Sequence, residues 1–199
     1  CIPTISYAKE SDWYSWFNSK NITRYLEQGA FPNTADDQVD FLNTNIKDRF
    51  MLIIFDKKNN KYCGIVSLSK INLNKKSCEI AIVSDTQKAN IYSSYIALEA
   101  MAKMIEHAFT QIGIRRITAG QHIKLFNWQS MLELIGMRIE DVHRNKFIKG
   151  MEVSDTVTIA ITYPDFEKIT IIRKGFLWDN FSKMKKRITG MPRETFAKK

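Results

Sequence analysis

Two titratable side chains lie on strand-like runs where they could move a proton. Glu79 sits in Cys78-Glu79-Ile80-Ala81-Ile82, whose alternation turns Cys78, Ile80 and Ile82 to one face and Glu79 and Ala81 to the other. A carboxylate between apolar neighbours on an inner strand holds its proton more tightly and can act as a general base through water. The bland alternative is an exposed glutamate paired with Lys76 or with a neighbouring strand. His143, in Val142-His143-Arg144, is the second candidate, as base, substrate ligand or ordinary structural histidine. His107 and His122 fall where a structural role is expected.

Other residues have the types that hold small molecules. Asn127 opens a short helical run and is a preferred N-cap, with Ser130 close behind. Trp13, Tyr14, Trp16, Phe17, Asn21, Arg24 and Tyr25 cluster near the start of the chain. Most of that cluster is expected in the core. Aromatic rings beside a guanidinium also suit stacking on a base and holding a diphosphate, so Trp16, Asn21, Arg24 and Tyr25 are candidate substrate ligands. The three cysteines, Cys1, Cys63 and Cys78, form no CxxC pair and no Cys/His cluster with ligand spacing, so no metal is expected.

The elements that must position these groups follow from periodicity. Residues 10–30 read as two short helices broken near Asn18-Ser19, and Thr34 to Gln38 as a capped helix start. Phe50 to Phe55 and Tyr62 to Leu68 form a hairpin around a polar turn, and Ser77 to Val83 is a third strand. Tyr95 to Phe109 is a long helix with a stop at Gly113. Arg115 to Gly120 is a strand, Asn127 to Leu134 a short helix, and Met137 to Phe147 and Asp155 to Tyr163 a final pair of strands. This order predicts an α/β fold with a mixed, mostly antiparallel sheet flanked by helices, not a doubly wound one.

Composition narrows the function classes. The chain has 199 residues, 44% apolar and 26% charged, enough for one domain with a core. Mean hydropathy is −0.28, and no apolar run is long enough to span a bilayer. The opening Cys1-Ile2-Pro3-Thr4 has no basic or apolar leader pattern, so a cytoplasmic protein is expected, with an N-terminus trimmed before Cys1. The net charge is +9, but ten Lys/Arg against four Asp/Glu fall after residue 164. The excess therefore belongs to a tail, which argues against a nucleic-acid-binding body. In that tail Phe176, Leu177, Phe181, Met184 and Ile188 recur at helical spacing among lysines. This is a basic amphipathic helix, able to lie on an anionic membrane or to pack on its own body or on a second subunit.

Several strings resemble the GNAT N-acetyltransferase superfamily, over about residues 6–166. Trp16-Phe17-Asn18 and Ile22-Thr23-Arg24-Tyr25-Leu26 look like the N-terminal helices of its ribosomal-protein-alanine branch. Cys78 to Ile82 resembles its fourth strand, and Ala97-Leu98-Glu99-Ala100-Met101 its central helix. Ile112-Gly113-Ile114-Arg115-Arg116-Ile117 resembles its helix-to-strand connection, and Asn127, Ser130 and Ile135-Gly136-Met137 its closing motif. The resemblance implies an acetyltransferase domain at 1–166 followed by an extension at 167–199. It implies acetyl-CoA as co-substrate, with the backbone of Ile80, Ala81, Ile82 and Val83 taking the pantetheine arm and Asn127 and Ser130 helping.

The chain departs from that family in its phosphate loop. Residues 87–97 contain no glycine and are about three residues longer than usual, leaving Gln87, Lys88, Ser93, Ser94 and Ala97 as the candidate phosphate ligands. The family's tyrosine acid is also missing, since Met131, Leu132 and Leu134 occupy its places. The expected activity is direct acetyl transfer to the amine of a dTDP- or UDP-linked aminodeoxysugar, as in surface-glycan synthesis. Alternatives are acetylation of a protein N-terminus, a non-catalytic binding module on the same fold, and a membrane-surface adaptor acting through its tail.

Overall fold

The computed structural model describes residues 1–85 and 91–191. Four short helices come first: α1 (Ile5–Glu10), α2 (Trp13–Trp16), α3 (Lys20–Thr23) and α4 (Ala35–Asn45). The break at Asn18-Ser19 falls as expected, and α1 adds a helix that the aromatic periodicity did not reveal. Thr34 and Asp37 close a capping box on α4, each side chain bonding the other's backbone N–H.

Six strands form one sheet in the order β1-β2-β3-β4-β6-β5. They are β1 (Phe50–Asp56), β2 (Lys61–Asn72), β3 (Ser77–Ser84), β4 (Arg116–His122), β5 (Arg138–Lys149) and β6 (Glu152–Thr162). Every neighbouring pair is antiparallel except β3 with β4. That parallel step needs a crossover, supplied by α5 (Ile91–His107) and a π-helical turn at Ala108–Ile112. Gly113 ends the crossover at φ 79°, a conformation that favours glycine.

The two faces of the sheet bury separate clusters. On the back, Leu98, Met101, Met104 and Ile105 of α5 pack on Leu68, Cys78, Ile80 and Ile117. On the front, Ala8, Trp13, Trp16 and Leu42 pack on Met51 and Ile65. The front cluster covers β1 and β2 and leaves the strands beyond them for other uses.

After β4 come α6 (Phe126–Glu133) and, beyond β6, α7 (Tyr163–Ile172) and α8 (Phe181–Thr189). The apolar side of the tail faces its own body: Leu177, Trp178 and Met184 are buried in the back cluster. Arg173 donates to the carbonyls of Leu177 and Leu134, and Arg187 makes two bonds to Asp179. These contacts account for the helical spacing of apolar residues in the basic tail. Among the described residues no helix is long and apolar enough to cross a membrane.

Candidate active site

β3 and β4 pair only from Ser77 to Glu79 against Arg116 to Thr118, and then part. Backbone parity shows what the parting exposes. The N–H of Asp85 donates to the carbonyl of Cys63, while the carbonyl of Lys76 accepts from Arg116. Odd residues of β3 therefore face β2, and even residues face β4. The Ile80 N–H makes the last bond to β4, at Thr118; beyond it the C=O of Ile80 and the N–H and C=O groups of Ile82 and Ser84 turn into the gap, and Gly120 faces it from the β4 side. An extended ligand with amide groups can add there as a pseudo-strand. This corrects one expectation: the backbones of Ala81 and Val83 are committed to β2, so only Ile80 and Ile82 of the four can hold such a ligand.

Small residues flank the gap on the front face. Ala81 is exposed, and a Cβ added to Gly120 would meet nothing within 4 Å among the described residues. Gly120 lies opposite Thr158 on β6, whose Oγ1 is 2.7 Å from Nε2 of His143 on β5. The other ring nitrogen, Nδ1, is 3.7 Å from the Asp141 carboxylate. A carboxylate on that side favours the proton on Nδ1. We assign Nε2 accordingly as the acceptor of the Thr158 hydroxyl proton. Gly120, Thr158 and Asp141 were not singled out from sequence; a period-two count from Ala81 does not cross to another strand.

Glu79 stands where pairing ends, but its surroundings are ionic rather than apolar. Its Oε1 is 2.9 Å from Nζ of Lys70 on β2, with the glutamate side chain 44% exposed. The partner comes from the neighbouring strand, and Lys76 is not involved.

The loop after α3 stands beside the front face at the end of β4. The Tyr25 ring lies 4.6 Å from the His122 ring, and Phe147 meets that imidazole edge-on at 4.5 Å. The exposed Arg24 guanidinium stands 5.2 Å from the Tyr25 ring centre. Asn21 is exposed on α3. Trp16 is removed from the acceptor-binding set, because it is 3% exposed within the front cluster and offers no free face. Trp16→Ala is therefore expected to cost about 3–5 kcal/mol in denaturant unfolding, the range for a core tryptophan, with the acceptor KM of the folded protein unchanged.

His122 is buried, its Nδ1 accepting the Lys124 N–H at 3.1 Å. Among the described residues its Nε2 has no hydrogen-bond partner, the nearest carboxylate oxygen being Glu152 Oε1 at 3.9 Å. Burial pushes its pKa below the ordinary histidine value. The unfolded chain thus binds a proton that the folded chain resists as pH drops below about 6.5, so acid erodes stability. Thermal unfolding of the wild type between pH 7.5 and 5 should show a fall in Tm that His122→Gln reduces.

The expected cofactor ligands divide. Asn127 is the second residue of α6 and exposed; Leu125 is the N-cap position, so the capping role expected of Asn127 does not hold. Ser130 donates its hydroxyl to the Phe126 carbonyl at 3.0 Å, which leaves it only as an acceptor. Gln87 and Lys88 lie outside the described residues. Ser94 is half-buried on α5, while Ser93 and Ala97 line a cavity of about 390 Å³ with Asp56, Lys61, Cys63 and Asp85. Ser84, at the end of β3, also lines that cavity; of its two carboxylates, Asp85 pairs with Lys61 at 3.3 Å and Asp56 accepts from the Asn59 amide at 2.5 Å. Gln121 Oε1, at the end of β4, is a buried acceptor with no hydrogen-bond partner among the described residues. The open C=O of Ile80 and the open N–H and C=O of Ile82 make the gap fit a pantetheine arm. Among the described residues no group of three or more His, Cys, Asp or Glu is placed to hold a metal.

The sequence profile of the acetyltransferase (GNAT) domain matches residues 4–138. The chain belongs to the GNAT acetyltransferase family. It is an acyltransferase whose co-substrate is acetyl-CoA. Comparison with curated proteins finds no match. Among solved structures, this GNAT protein is similar to the spermidine N-acetyltransferase of Vibrio cholerae in complex with CoA and spermine. They share 15% identity and a TM-score of 0.71, covering 84% of this chain and 96% of that one. It is also similar to a GNAT-family acetyltransferase from Bacillus anthracis, at 21% identity and TM-score 0.66, covering 81% and 92%. At these identities the likeness is one of fold. The branch of the family is not distinguished by it.

Proposed function

We propose that this GNAT enzyme transfers acetyl directly to the amine of a nucleotide-linked aminodeoxysugar. The observation that carries the reading is the composition of the front face beside the gap. A floor of Ala81, Gly120, Thr158 and His143 meets a wall bearing Arg24 and Tyr25. The floor leaves room for a ring and offers a hydroxyl and an imidazole to its amine. The wall offers a cation for a diphosphate and a ring for a base.

Acetyl-CoA supplies the acetyl group as a thioester; the amine nitrogen bonds to its carbonyl carbon as the C–S bond breaks, releasing CoA thiolate. His143 Nε2 takes the surplus amine proton through the Thr158 hydroxyl, with Asp141 stabilising the imidazolium. Backbone N–H groups of the gap stabilise negative charge on the acyl oxygen. Glu79 is the second proton acceptor, through water, once its hold on Lys70 is exchanged. Asn21 and Asn127, both exposed, lie on the elements that border acceptor and cofactor respectively.

A polyamine is the second reading, favoured by the Vibrio cholerae neighbour and by Asp141 and Glu152, two carboxylates on the acceptor side. Thiol release from acetyl-CoA, measured with dTDP- and UDP-amino sugars, spermidine and an N-terminal peptide, separates the readings. Turnover with an amino sugar is expected. Turnover only with spermidine or the peptide overturns the acceptor, and acetyl-CoA binding without turnover on any amine would make the chain a binding module.

A further inference from the structure

The wall that carries Arg24 and Tyr25 has no regular structure after Thr23, yet it is held in place by one distant side chain. The ammonium of Lys149, the last residue of β5, donates to the carbonyls of Thr23 at 2.7 Å, Leu26 at 3.1 Å and Gln28 at 2.6 Å. All three of its hydrogens are thus directed to main-chain oxygens, contributed by a segment at least 121 residues earlier. Thr23 ends α3, while Leu26 and Gln28 lie in the loop beyond it, so the ammonium gathers one helix-end carbonyl and two loop carbonyls, and a positive charge is favoured at the helix end. Gly29 completes the arrangement at φ 85°. A Cβ on it would stand 2.7 Å from the Thr23 side chain, so the loop folds back tightly on α3 around the ammonium.

The remaining ties of this wall are few. Tyr25 rests on His122, and further along, Asn18 and Asn33 exchange two bonds at 2.7 Å each. Without the ammonium, the carbonyls of Leu26 and Gln28 would lose this donor, Thr23 keeping the Leu26 N–H at 3.0 Å, and the turn would have to reopen to water.

We propose that Lys149 is a positioning residue for the acceptor: it fixes the loop 24–28 so that Arg24 and Tyr25 stand over the floor at Gly120 and Thr158. This rests on the reading that the acceptor lies on the front face. Lys149 touches no reacting atom. Its effect belongs in acceptor recognition and is absent from acetyl-CoA binding, which uses the edge of β3 on the other side of the gap.

The test is Lys149→Met in the full chain, with Arg24→Ala in parallel. For Lys149→Met the acceptor KM should rise about tenfold, the loss expected for one set of charge-assisted bonds. The Kd for acetyl-CoA should stay at the wild-type value, and amide exchange should accelerate at residues 24–28 only. Lys149→Arg keeps the charge but presents a planar fork to three converging carbonyls, so its KM should rise less. That variant also serves if the methionine protein does not fold. Unchanged KM and unchanged exchange in both Lys149 variants would overturn the proposal. So would a fall in Tm with KM unchanged, which assigns a purely structural role. If Arg24→Ala raises KM while the Lys149 variants do not, the positioning role fails and the acceptor site stands. If none of the three raises KM, the acceptor does not lie on this wall at all.

Discussion

Replacing His143 with alanine is expected to lower kcat by about 10²–10⁴, the range for removal of a general base, with acetyl-CoA affinity unchanged. The argument is geometric. His143 is one of the two sequence-derived base candidates, and its ring is oriented at both nitrogens, by Asp141 and by Thr158 at 2.7 Å. Thr158 lies directly opposite Gly120 at the mouth of the gap, so the hydroxyl links the imidazole to the place where an amine must stand. Thr158→Val keeps the shape and removes the link, and should give a smaller loss than His143→Ala. Single-turnover kinetics with preloaded acetyl-CoA measure both. A Glu79→Gln variant that loses as much as His143→Ala, with Thr158→Val at the wild-type rate, would transfer the base role to Glu79.

Filling the floor is expected to have the second largest effect. Gly120→Val should lower kcat/KM for the acceptor by 100-fold or more, about 2.7 kcal/mol, because the branched side chain occupies the space above the gap. The protein should fold normally. The added Cβ meets nothing within 4 Å among the described residues, the position has no left-handed backbone angle, and a β-branched residue suits a strand better than glycine does. Tm equal to or above the wild type, together with the kinetic loss, is the expected pair of results. Wild-type kinetics in this variant would place the acceptor elsewhere.

Much of the framework was legible in the sequence because local physics determines it. The capped start at Thr34 needs only Asp37 three residues on, and the stop at Gly113 needs only a glycine after an apolar helix. Strand alternation likewise placed Cys78 and Ile80 in the back core. What sequence could not show was set by register. Lys70 reaches Glu79 across an irregular pairing between Ser69 and Asn72, so the choice between Lys76 and a neighbouring strand stayed open. The link from His143 to Thr158 depends on a β5–β6 register that shifts twice. Trp16 and Tyr25 are both aromatic and nine residues apart, but α2 presses one into the core while the loop after α3 leaves the other half-buried. The lock at Lys149 joins segments too far apart for any periodicity to register. Asn127 read as a cap because its type is right; the N-cap falls two residues sooner, at Leu125.

The central claim is that acetyl-CoA binds by adding to the free edge of β3 where β4 departs from it. Residue-resolved amide exchange, with and without saturating acetyl-CoA, tests this most directly. The account predicts slowed exchange at Ile82 and at Gly120, whose N–H groups face the gap, with little change at Ile80, already bonded to Thr118, or at Ala81 and Val83, already bonded to β2. Saturation with acetyl-CoA that leaves Ile82 and Gly120 exchanging at their free rates would contradict it.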